Sequence, residues 1–95
     1  MQFEDRYCLL PSGNQNEFDH LNIELFCRGI HFRYSDNAYG QRIYCIPATQ
    51  LHKLPHDSQG PYLGDNNSGH TIYKINEVAW ARPDIDNAVW IEVKP

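Results

Sequence analysis

Asn16-Glu17-Phe18-Asp19-His20-Leu21-Asn22-Ile23-Glu24-Leu25-Phe26-Cys27-Arg28, followed by Gly29, is the stretch whose reading decides the fold. Phe18, Leu21, Leu25 and Phe26 recur with the spacing of one helical face. Asn16 is a suitable N-cap, Glu17 and Asp19 place negative charge in the first turn, Arg28 stands in the last, and Gly29 supplies a C′ stop. The same residues also hold a rival pattern, because Leu21, Ile23, Leu25 and Cys27 alternate as a strand would. The end signals agree with one another and the alternation runs over only a few positions, so the helix is preferred and the strand stays as the alternative.

Working outward, residues 3–10 form a first strand, closed by Pro11-Ser12-Gly13. After the helix, Ile30, Phe32 and Tyr34 alternate with His31 and Arg33. Residues 35–40 carry turn chemistry, and residues 41–46 return as a strand. Pro47 opens a short helix over residues 48–54, in which Leu51 and Leu54 share a face before Pro55 ends it. Residues 55–70, rich in Gly, Pro, Asn and Asp, read as a long mobile loop.

The remaining segments read as a β-hairpin. Residues 71–81 form a strand with a phase slip near Asn76-Glu77 that suggests a bulge, residues 82–87 turn, and residues 88–93 return. The expected fold is therefore α+β: a mostly antiparallel sheet of about five strands with one or two helices on one face, in ferredoxin-like βαββα order with a C-terminal hairpin. Ninety-five residues supply one core, so residues 1–95 are a single domain.

Composition narrows the function. The chain is 41% hydrophobic and 21% charged, outside the regime of disorder. Its net charge is -4, and no basic arm concentrates the Lys and Arg, so a duplex nucleic acid is an unfavourable partner and a basic protein surface a better one. The start has no positive n-region followed by an apolar run, and no stretch approaches a membrane span, which leads to a cytoplasmic expectation with no membrane partner. Three cysteines, Cys8, Cys27 and Cys45, are odd in number and unpaired in spacing, which argues against a disulfide framework.

No catalytic or cofactor motif emerges. His52 and His56 have i, i+4 spacing, but Pro55 interrupts the helix that would bring them together, so neither a metal nor another cofactor is expected. Asp65-Asn66-Asn67-Ser68-Gly69 has calcium-loop composition without calcium-loop spacing. The cysteines lie in apolar runs, as buried small hydrophobes do.

Binding residues are the stronger expectation. In the last strand Val89, Ile91 and Val93 alternate with Trp90 and Glu92, so an inward aliphatic set leaves Trp90 exposed beside a carboxylate, while Trp80 joins the core. Arg33 and Arg42 are expected on one sheet face with His31 and Tyr44, a basic and aromatic cluster. Tyr39 in a turn, Tyr62 in the long loop, and Asp84 and Asp86 at the hairpin tip complete the set. The resulting expectation is a non-enzymatic, acidic protein-binding module. It would be an inhibitor of a larger protein partner, such as an anti-defence or immunity protein. The alternative is a regulatory domain that binds a ligand or homodimerises through its sheet edge; a metal-dependent or cysteine enzyme ranks below both.

Overall fold

The computed structural model describes residues 6–11, 14–58, 60–63, 70–74, 77 and 87–94. The deciding stretch is a helix, α1 (Gln15–Cys27). Its cap is Asn14 rather than Asn16: Asn14 is extended, at φ -116° and ψ 150°, and its Oδ1 accepts from the Glu17 amide at 2.8 Å. The other end closes as a Schellman motif, with the Gly29 amide donating to Phe26 O at 3.0 Å and the Ile30 amide to Leu25 O at 3.1 Å. Gly29 adopts φ +71°, the left-handed geometry that makes glycine the suitable residue there. Leu25 and Ile30, which flank this cap, are both fully buried.

The main sheet has five antiparallel strands: β1 (Arg6–Leu9), β2 (Phe32–Asp36), β3 (Arg42–Pro47), β7 (Tyr73–Lys74) and β8 (Ile91–Val93), in the order β7-β1-β3-β2-β8. Because β3 lies between β1 and β2 and runs against both, β1 and β2 are parallel and α1 is the crossover between them, a split β-α-β unit. The β2–β3 turn is held by Asn37, whose Oδ1 accepts from the Tyr39 and Gln41 amides, each at 3.0 Å. Ala48–Lys53 is a 3-10 helix rather than an α-helix. It is tied to the neighbourhood of the α1 C-terminus by Lys53 Nζ donating to Gly29 O at 2.8 Å and by Gln50 Oε1 accepting the His31 amide at 2.7 Å.

Two expectations are corrected here. The long loop over residues 55–70 contains strands, β4 (His56–Asp57) and β5 (Gly60–Leu63), which join β6 (His70–Thr71) in a second, three-stranded sheet. Leu63 and Ile72 from this region enter the core beside Leu54, so apolar anchoring overrides the turn-rich composition. The C-terminal hairpin does not pair as expected: its described parts, β7 and β8, lie at opposite edges of the main sheet. Pairing with β1 and β2 extends one continuous sheet, whereas a separate two-stranded ribbon is marginal in water. Strand residues 71–74 break at Ile72; Asn76 of the expected slip near Asn76-Glu77, and Trp80, expected in the core, lie outside the described residues.

Both faces of the sheet are apolar at its centre. Toward α1, Leu9, Phe32, Tyr44 and Ile46 pack against Phe18, Leu21 and Leu25. On the back, Cys8, Ile43 and Cys45 form a second cluster covered in part by Leu10 and Trp90. β3 is buried from Arg42 to Ile46, the pattern of a central strand covered on both sides.

Candidate binding groove

The core stripe of α1 is Phe18, Leu21 and Leu25; Ile23 and Phe26 lie off it and are 61% and 52% exposed. Phe26 is thus a surface residue, against the expectation that it shares the core face. The helix carries more apolar residues than one stripe can bury, and the surplus forms one wall of a groove of about 290 Å³. Asn22, Ile23 and Phe26 line it from α1, Phe32 and Tyr34 from β2, and Val93 from β8. Ile91, 49% exposed, is registered with Tyr34 and therefore belongs to the same sheet face.

Beneath the groove lies a polar knot. The Arg42 guanidinium donates to Asp36 through Nε at 2.7 Å and Nη2 at 2.9 Å, a bidentate clasp. It stacks on Tyr34 at 4.1 Å and Phe18 at 4.5 Å from the ring centroids, and Nη1 donates to the Tyr44 hydroxyl at 3.1 Å. The hydrogen bond to Asp36 holds Arg42 above even its ordinary, very high pKa. Burial raises the Tyr44 pKa, so its phenol stays protonated. That proton has two acceptors in reach, Asn22 Oδ1 at 2.6 Å and Phe18 O at 3.1 Å. The shorter contact takes it. With Oδ1 turned to Tyr44, Asn22 keeps its amide hydrogens as donors for a ligand.

The edge strand is pinned from the back face. Glu92 Oε1 lies 2.5 Å from His31 Nε2 and 3.8 Å from Arg33 Nη2. The hydrogen bond to His31 holds the Glu92 carboxyl below its ordinary value, with Arg33 and Lys94 adding attraction. A carboxyl whose pKa is lowered by folding adds stability above its unfolded value, about 4.3, and that stability fades as pH falls through the folded value. Glu92→Gln is expected to flatten the fall in melting temperature between about pH 5 and pH 3 relative to the unsubstituted protein. Parallel thermal melts across that range check this, and identical slopes would refute the pinning role.

The residues expected to bind a partner separate. Arg42 and Tyr44 face α1, not the face of Arg33, because the register pairs Tyr34 with Tyr44 and Arg33 with Cys45. The basic cluster is therefore corrected: Arg42 is a core residue at 8% exposure, and Arg33 pairs with Glu92. Trp90 does face away from α1, as the alternation requires, but that face is not open; the indole is half-buried against Cys8, Ile43 and Cys45. Of the aliphatic trio, Val93 packs on the core and Val89 is 82% exposed. Tyr39 is 89% exposed at the β2–β3 turn, Tyr62 is half-buried in β5, and Asp84 and Asp86 lie outside the described residues.

Sequence reasoning missed Ile23, Phe26 and Asn22 as site residues. The legible signal was the double pattern in residues 16–28, where the strand-like alternation that includes Ile23 reflects a second apolar edge on a helix. Among the described residues no group of three or more His, Cys, Asp or Glu is placed to hold a metal, and no helix is long and apolar enough to cross a membrane. Comparison with known proteins finds no match to a family model, to a curated protein or to a solved structure.

Proposed function

We propose that this chain is a protein-binding module that acts by occluding a surface on a larger partner, and that the groove between α1 and β8 is its contact site. The observation that carries the reading is the concentration of exposed apolar side chains, Ile23, Phe26 and Ile91, around one concave site. Contiguous apolar surface rimmed by polar groups marks interaction sites in soluble proteins. An apolar side chain of the partner would seat between Phe26 and Val93, with the Asn22 amide and the Tyr34 phenol offering hydrogen bonds to its backbone. The net charge of -4 favours a basic partner and speeds encounter with it. Inhibition, as by an anti-defence or immunity protein, is the activity that a small non-enzymatic plug of this kind performs.

The test is comparative. Capture on the tagged protein is expected to recover a stoichiometric partner that Phe26→Asp loses, with affinity falling by about 30-fold or more, equivalent to about 2 kcal/mol. Because Phe26 is half-exposed, the variant should keep its circular dichroism and melting profile. An unchanged affinity would move the contact elsewhere, and turnover of a substrate by the purified protein would replace binding with catalysis.

One observation favours homodimerisation as a second reading. β8 is an edge strand whose Ile91 is exposed, as is Val89 just before it. Light scattering decides: a concentration-dependent dimer abolished by Ile91→Lys would make the partner a second copy of the chain.

A further inference from the structure

The β1–β3 register sets Cys8 directly opposite Cys45, and both thiols are buried in the back-face cluster with Ile43. Directly opposed residues on antiparallel strands have Cα atoms about 4.5 or 5.5 Å apart, depending on the hydrogen-bonding position, and both spacings lie within the range that a disulfide spans, roughly 4.4 to 6.8 Å. The two side chains leave the same face, so their Cβ atoms point in a common direction. Cys27, at the exposed end of α1, has no such counterpart. We propose that Cys8 and Cys45 are an oxidation site, closing to an intramolecular cross-strand disulfide that staples β1 to β3.

The reaction with a peroxide balances without a cofactor. One thiolate attacks the peroxide oxygen and becomes a sulfenic acid, releasing water once protons are exchanged. The second thiolate attacks the sulfenic sulfur, forming the S–S bond and releasing a second water. Two thiols are oxidised by loss of two hydrogens, and hydrogen peroxide is reduced to two waters. Burial, reinforced by neighbouring Cys45, pushes the Cys8 thiol up to about 12, so little Cys8 thiolate is present at neutral pH and attack from that sulfur is slow. Leu10 and Trp90, both only partly buried, pack over the pair.

The staple has a consequence for the molecule. The loop it closes contains α1 and β2, and with them Asn22, Ile23, Phe26, Phe32 and Tyr34 of the groove. Oxidation would therefore close a covalent loop around α1 and β2, two of the three elements that line the groove. The chemistry does not depend on what the groove binds.

The test uses Cys27→Ser, an exposed substitution that leaves Cys8 and Cys45 as the remaining thiols of the chain. The folded protein is treated with hydrogen peroxide, quenched, unfolded and alkylated. The expected product is a monomer lighter by two hydrogens that takes no alkyl group, gives a Cys8–Cys45 cross-linked peptide on digestion, and regains both thiols with dithiothreitol. The same cross-linked peptide should come from the unsubstituted protein. Two alkylatable thiols, higher oxygen adducts on either cysteine without the cross-link, or a disulfide between chains would each overturn the proposal.

Discussion

Phe32→Ala is expected to destabilise the protein by about 3 to 5 kcal/mol, a large share of a small domain's total stability, which is on the order of 5 to 15 kcal/mol. Phe32 is 1% exposed, its ring lies 5.9 Å from that of Tyr44, and it is registered with Val93 on β8. Truncation therefore opens a cavity where α1, β2 and β8 meet, and those elements cannot close on it without shifting the central sheet. Phe32→Leu keeps most of the volume and should cost less than about 1.5 kcal/mol. That pair separates stability from function, because the leucine variant retains the fold while deepening the groove floor. Urea unfolding of both variants checks the prediction. A cost below about 1 kcal/mol for alanine would mean that Phe32 is not the keystone of this junction.

Arg42→Ala should cost about 3 kcal/mol, and the reason is packing more than charge. Asp36 has a side chain 43% exposed, so its pairing with Arg42 is screened and contributes little by itself. The larger loss is the guanidinium plane stacked on Phe18 and Tyr34, together with the buried stem and the hydrogen bond to Tyr44. Arg42→Lys should recover only part of the stability, because an ammonium neither forks onto Asp36 nor stacks between two rings. Asp36→Asn should be the mildest of the three. The order alanine, lysine, then Asp36→Asn is read from denaturant midpoints; a lysine variant as stable as the original would show that the stacked fork is dispensable.

The local elements were legible because their causes are local. The α1 stop at Gly29, the alternation of β2 and the turn after it depend on neighbours within a few positions; the structure places the first two where the pattern indicates and starts the turn at Asn37 rather than Ser35, because Ser35 and Asp36 pair with β3. Residues 55–70 failed for the opposite reason. Leu63 and Ile72 are anchored by Leu54 and the core, contacts that turn-rich composition does not reveal.

The site was legible only in fragments. Alternation correctly divided Trp90 and Glu92 from Ile91 and Val93, but it could not show that the far face holds its own apolar cluster, which turns Trp90 from an open contact into a cover. Arg42 was misplaced by a single step of register. Side chains alternate with period two, so one step moves a residue from a solvated face into the core.

By itself, then, the chain determined a single α+β unit, its deciding helix and the alternation of its central strands, because capping, periodicity and turn chemistry act between residues close in sequence. The tertiary structure decided everything that depends on register and sheet order: β7 and β8 at opposite edges, Arg42 under the groove, Cys8 against Cys45, and Ile23 with Phe26 overhanging the edge strand. The reason is that strand pairing is a choice among distant segments, made by the total apolar surface that each arrangement removes from water.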